Sequence, residues 1–159
     1  MSQLNKGFHQ IGIIHSPYSR LENMPIQPAG ASGIQGQLVV EPEYAPGLQD
    51  LEGFSHIYLL YIFHKVSESH LSVTPYLDTH LRGVFATRAP SRPNPIGLSI
   101  VRLLSIDNNI LNIENLDILD GTPVLDIKPY IPPFDDQVNV RIGWLTEIAD
   151  GVKHKRSER

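Results

Sequence analysis

Apolar positions along the chain come in short bursts separated by turn-forming residues, and nowhere in a long stripe of helical period. Residues 9–15 (HQIGIIH) read as a first strand and residues 36–41 (GQLVVE) as a second. Between them, Met24-Pro25-Ile26-Gln27-Pro28-Ala29-Gly30 carries two prolines that forbid helix and central strand alike, so an extended loop is expected. Residues 43–51 suit a short helix leading to Gly53. The most hydrophobic run, residues 55–65 (SHIYLLYIFHK), is rich in aromatic and β-branched residues and reads as a buried strand. A further short strand is expected at residues 83–87. Residues 97–106 and 110–115 flank Asp107-Asn108-Asn109 as a hairpin, and residues 116–119 and 124–127 flank a second turn at Asp120-Gly121. Residues 142–147 are expected to close the series as a last strand.

Thirteen prolines and twelve glycines spread through the chain argue against long helices. Many short strands at close spacing predict a mostly-β fold, a single small barrel with one or two short helices. The βαβ alternation of a doubly wound fold is missing, and no G-x-G-x-x-G follows the first strand, which excludes a Rossmann reading. The length suits one domain over residues 1–152, with residues 153–159 (KHKRSER) as a separate basic tail.

Composition narrows the chemistry. The sequence has no cysteine, which removes disulfides, thiolate metal sites and a cysteine nucleophile, and fits a cytoplasmic protein. No apolar run approaches the length of a membrane span, and the first residues lack the apolar core of a secretory signal. The net charge is −4; the tail holds four Lys/Arg and one Glu, hence +3, leaving −7 on the remainder. A basic tail on an acidic body can contact phosphate, or can simply be a solvated terminus.

Two segments concentrate functional side chains. In residues 87–97 (TRAPSRPNPIG), three prolines remove three backbone donors and stiffen an edge that carries Arg88 and Arg92. A guanidinium fork suits a carboxylate or phosphate, although both arginines could equally pair with acids on the body. Residues 116–129 (LDILDGTPVLDIKP) gather Asp117, Asp120, Asp126 and Lys128. Asp120 either shapes the Asp-Gly turn or joins Asp117 and Asp126 around a pocket mouth, where carboxylates accept from a ribose diol or an ammonium. Asp126 and Lys128 share a face of any strand there and can pair. His56 and His64 lie eight apart in the apolar run, no metal-ligand spacing occurs, and no metal is expected. No G-x-S-x-G motif supports a serine hydrolase.

Taken together, GFSHIYLLYIFHK (53–65), GVFATRAPSRPNPIGLS (83–99) and LDILDGTPVLDIKPYIP (116–132) resemble the TrmO/TsaA (YaeB-like) family, as do IGIIHSPY (11–18) and MPIQPAG (24–30). The resemblance runs in order from about residue 8 to residue 134. It implies a β-barrel methyltransferase that uses S-adenosylmethionine, works as a homodimer and acts on tRNA, at the exocyclic amine of threonylcarbamoyl-adenosine beside the anticodon. By motif match the cofactor contacts fall on Ile26, Gln27 and Pro28, on His64 and Lys65, on Arg88 and Leu98, and on Asp117, Ile118, Leu119 and Asp120. A base for the acceptor amine would be Asp120 or Asp126. The family's bacterial tRNA enzymes continue into a second, small domain, whereas about 25 residues follow Phe134 here. The alternatives are a methyltransferase of the same fold for a small molecule or another RNA, and a non-catalytic module that binds the cofactor.

Overall fold

Alternation of buried and exposed positions is clearest on the longest strand, Ile96–Asp107, where Gly97, Ser99, Val101 and Leu103 turn inward and Ile96, Leu98, Ile100 and Arg102 outward. This two-residue period is the signature of a sheet with one enclosed face. In a computed structural model that describes residues 7–24 and 28–148, six such strands close into an antiparallel barrel. The strands are β1 (Gly12–His15), β2 (Gln35–Val40), β3 (His56–Ile62), β6 (Ile96–Asp107), β7 (Ile110–Glu114) and β8 (Pro123–Pro129). Between β3 and β6 in sequence lie the two-residue strands β4 (Ser72–Val73) and β5 (Arg82–Gly83), which pair with each other. The barrel order is β1-β2-β7-β6-β3-β8, with β8 returning to β1. Closure leaves no free edge, which small sheets otherwise have to protect.

Inward side chains fill the barrel: Ile14, Leu38, Ile57, Leu59, Val101, Leu111, Ile113 and Val124 are essentially inaccessible. Each contributes about 1.5–3 kcal/mol on burial. The expected hairpin at 97–115 is present. Asp107 pairs with Ile110, and Asn108 takes the left-handed φ of 54° that asparagine tolerates. On β8, Asp126 stands opposite Leu60 and Val124 opposite Tyr61, so Leu125 is an extra residue that bulges the strand.

Four expectations need correction. Residues 83–87 supply only β5 and a 3-10 turn at Val84–Ala86, because the Thr87 amide and hydroxyl both return to the Val84 carbonyl. Residues 116–119 form no ladder, yet Leu116, Ile118 and Leu119 are buried; they close the end of the barrel as a loop. The expected helix at 43–51 is instead two 3-10 segments, Pro42–Leu48, which contains Pro46, and Leu51–Gly53. Residues 142–147 are not a strand: Gly143 has φ +59°, and turn hydrogen bonds run from Leu145 to Ile142 and from Thr146 to Gly143.

The chain divides into two compact units: Met1–Ser67 with Asn94–Tyr130, which contains the barrel, and Glu68–Pro93 with Ile131–Arg159. In the second unit Arg82 donates to Asp78 at 2.6 Å and stands 5.2 Å over the Trp144 ring, while Trp144 donates to the Ala86 carbonyl. A short helix, α1 (Pro132–Asp135), is capped by the Asp135 carboxylate on the Ile131 amide, and residues 145–148 are helical as well. Among the described residues no helix is long and apolar enough to cross a membrane.

Candidate functional site

Antiparallel closure sorts the connections into two groups. The C-terminal ends of β1, β3 and β7 meet the N-terminal ends of β2, β6 and β8 at one end of the barrel. Backbone hydrogen bonds tie the connections there together: Phe63 to Pro95, Leu116 to Ile34, Asp120 to Tyr18 and Gly121 to Ile14. Pro28, His64, Lys65, Leu98 and the run 117–120 all belong to this loop-bearing end. Residues as far apart in sequence as Pro28 and Asp120 are thus gathered by topology alone.

Each has a definite local setting. Pro28 opens the 3-10 turn Pro28–Ala31, which leads through Ala31 and Ile34 to Leu116. Ile26 and Gln27 lie outside the described residues. His64 and Lys65 form the turn that ends β3, closed by the Val66 amide on the Phe63 carbonyl. Partial burial and then the neighbouring Lys65 charge hold the His64 imidazole below its usual range, against a backbone hydrogen bond with Ile62. Leu98 is half exposed on the outer face of β6, opposite Leu60.

Asp120 and Asp117 are held quite differently. One oxygen of Asp120 accepts from the Ser16 amide at 3.0 Å, with the His15 ring 3.7 Å away, so this carboxylate braces the chain leaving β1. Asp117 accepts instead from the Ser99 hydroxyl at 2.7 Å, and Ser99 in turn meets the Tyr61 hydroxyl at 2.9 Å inside the barrel. Burial pushes the Asp117 carboxyl above its ordinary value, opposed by the Ser99 hydrogen bond and by its own backbone N–H. Burial likewise pushes the Tyr61 phenol up to about 12, partly offset by Ser99 and reinforced by the Asp117 charge.

Two candidates stand apart from this group. Asp126 is on β8, where it pairs with Lys128 at 3.0 Å and lines a cleft of about 420 Å³ at the opposite end of the barrel, with Tyr44, Leu48, Leu51 and Ile127. Arg88 belongs to the second unit. There Arg92 donates to the Thr87 and Ala89 carbonyls and staples the proline loop, whereas Arg88 is exposed and makes no hydrogen bond or ion pair with a described residue of that unit. Neither arginine pairs with a described acid of its unit, and the two are not equivalent: one holds the loop and the other is presented by it. Among the described residues no cluster of His, Asp or Glu could hold a metal ion.

Sequence reasoning overlooked Tyr61 and Ser99. The signal was present: in HIYLLYI the alternation that buries Ile57 and Leu59 also buries Tyr61, and a buried phenol requires a polar partner.

A closed antiparallel barrel with carboxylate-bearing loops at one end defines a small β-barrel ligand-binding domain outside the doubly wound class. The sequence model of the tRNA-methyltransferase O N-terminal domain matches residues 13–136, and the chain belongs to that family. It is 52% identical over 151 residues to a probable S-adenosyl-L-methionine-binding protein of Pyrococcus abyssi, covering 95% of this chain and 82% of that protein. It is 44% identical to the tRNA (adenine(37)-N6)-methyltransferase of Escherichia coli, across 79% of this chain and 57% of the bacterial protein. The crystal structure of TrmO from Pseudomonas aeruginosa superposes with a TM-score of 0.73 at 38% identity, covering 89% of this chain and 63% of that one. The chain thus spans about three fifths of the length of these two bacterial proteins.

Proposed function

We propose that the protein binds S-adenosylmethionine at the loop-bearing end of its barrel and transfers the methyl group to an adenine of tRNA, with the exocyclic amine of threonylcarbamoyl-adenosine beside the anticodon as acceptor. The observation that carries this reading is the convergence there of Pro28, His64, Lys65, Leu98 and residues 117–120, each brought in by a different loop or strand end. Methylation of a tRNA adenine at N6 is the reaction named for the Escherichia coli relative, and the threonylcarbamoyl-adenosine acceptor is the finer part of the proposal.

The donor set fits the cofactor. Asp117 keeps one oxygen fixed by Ser99, and no other described residue of the barrel unit donates a side-chain hydrogen bond to the carboxylate. It is suited to accept from ribose hydroxyls or an ammonium. Arg88, in the second unit, is carried over from the family motif alone; it has a planar fork suited to a carboxylate and makes no hydrogen bond or ion pair with a described residue of that unit. When bound, the sulfonium supplies an electrophilic methyl carbon. The loops hold the acceptor in line and exclude water, from which most of the acceleration arises. Of the two carboxylates considered as base, Asp120 is assigned the proton of the acceptor amine, through the oxygen that Ser16 does not engage. Asp126 is tied to Lys128 and lines the opposite cleft.

Mass spectrometry of nucleosides from tRNA incubated with protein and cofactor tests this. A methylated threonylcarbamoyl-adenosine is expected; unmodified tRNA alongside a working bacterial control overturns the reading. The name of the Pyrococcus relative favours a second reading, a binding module without turnover. Formation of S-adenosylhomocysteine in the presence of tRNA excludes it. We further assign the protein to the cytoplasm, in keeping with its lack of cysteine. A homodimer is supported by the exposed Leu71, Tyr76, Leu81, Phe85 and Phe134, and sedimentation velocity reads it directly.

A further inference from the structure

Tyr61 is an expensive residue to place inside a barrel, since its hydroxyl must be satisfied away from water. Only 6% of its surface is exposed, as is 6% of Ser99. The ring packs edge-on against Phe63 at 5.5 Å and fits because position 97 is glycine; a β-carbon on Gly97 would collide with it. A serine hydroxyl has one hydrogen. Ser99 gives it to Asp117, so Tyr61 must donate to Ser99, and the chain runs in one direction: Tyr61, Ser99, Asp117. Within the barrel unit no described Lys, Arg or His forms an ion pair with Asp117. Asp117 itself is only partly buried, so its carboxylate is not sealed inside the barrel.

We propose that Tyr61 and Ser99 are positioning residues, a buried chain of two hydroxyls that fixes the Asp117 carboxylate in one orientation and so sets how tightly the loop-bearing end holds the hydroxyl or ammonium donors of its cofactor. The proposal rests on the reading above that Asp117 contacts the cofactor. It explains why an interior position of β3 carries a phenol, why its hydrogen-bond partner on β6 is a serine, and why the residue opposite it on β6 is Gly97. A hydrogen-bonded acceptor held in place loses less freedom on binding, and chains of hydrogen bonds strengthen one another in a low-dielectric interior.

Two measurements on the full chain test it. In cofactor-free protein labelled with carbon-13 at aspartate carboxyls, NMR titration follows Asp117 in wild type, Ser99→Ala and Tyr61→Phe. Loss of the Ser99 donor should move the Asp117 titration further upward, and Tyr61→Phe should move it the same way by less. Calorimetric titration with S-adenosylmethionine should find Kd raised about 3- to 10-fold in each variant. Both effects on Kd should vanish in an Asp117→Asn background, as a double-mutant cycle requires of groups acting through one another. Tyr61→Phe keeps the ring and its packing, so a melting temperature near wild type accompanies the effect. An Asp117 titration indifferent to both variants overturns the hydroxyl chain. A titration that responds while Kd stays constant instead removes Asp117 from the cofactor site, and the proposal falls with that reading.

Discussion

In the barrel unit Ile14, Leu38, Ile57, Leu59, Leu111 and Ile113 are wholly enclosed. In the second unit Val84 alone among the described hydrophobic residues is buried, while Tyr76, Leu81, Phe85, Phe134 and Val138 are each more than two thirds exposed. Both units use apolar side chains freely, but only the first has a closed ladder to place them in. Among its described residues the second has two strands of two residues and two short helical stretches, Pro132–Asp135 and residues 145–148. It is held by polar anchors: Arg82 on Asp78 and Trp144, Trp144 on Ala86, Arg92 on the Thr87 and Ala89 carbonyls. One unit therefore gains stability from enclosure, and the other from a few directional contacts that leave its apolar surface available.

This contrast is open to direct challenge. The largest effect is expected inside the barrel, where Leu59→Ala should cost about 2–5 kcal/mol in urea unfolding, whereas Phe85→Ser in the second unit should stay within about 0.5 kcal/mol. Comparable costs at the two sites would erase the distinction. Next, Gly97→Ala should lower stability by about 1–3 kcal/mol, because the added methyl meets the Tyr61 ring. Thermal unfolding followed by circular dichroism reads this.

A smaller and local effect is expected for Trp144→Ala, which removes the Ala86 hydrogen bond and the surface beneath Arg82. Limited proteolysis should cut the second unit faster while the barrel unfolds at its wild-type midpoint. The same anchor carries a pH signature. The Arg82 guanidinium first, and then the His80 contacts and the Thr79 amide, hold the Asp78 carboxyl well below its ordinary value of 3.8. A carboxyl lowered in the folded state stabilises above its unfolded pKa, and that contribution is lost as pH falls below it. Protection of the second unit should therefore persist from neutrality down to about pH 4 and fail under more acid conditions, a dependence that Asp78→Asn abolishes. The smallest effect concerns the basic tail: deleting residues 153–159 should weaken tRNA binding in a salt-dependent way and leave cofactor affinity unchanged.

The same contrast explains what could be read from the sequence. Period-two alternation and the Asp107-Asn108-Asn109 turn announced β6 and β7, and the all-β composition announced a barrel, since these signals are local. Leu116 and Ile118 imitate a strand by alternating inward, yet they are buried by capping a barrel end, which no local pattern reports. Residues 83–87 and 142–147 are equally strand-like in composition. Their conformations follow from turn hydrogen bonds and the positive φ of Gly143. For the site, motif resemblance named most of the residues at the loop-bearing end. It singled out Arg88 over Arg92, but it could not show that Arg92 staples the loop, nor that Asp117 is fixed from inside the barrel while Asp120 braces a loop. Those distinctions depend on which neighbour each side chain meets.

The loop-bearing end of the barrel is the proposed seat of the cofactor. Amide NMR spectra recorded during titration with S-adenosylmethionine test it most directly. Saturable shifts are expected at residues 63–66, 97–99 and 115–122, with Tyr44, Leu48, Leu51 and Ile127 in the opposite cleft unmoved. Shifts confined to that cleft, or a spectrum unchanged at saturating cofactor, would contradict it.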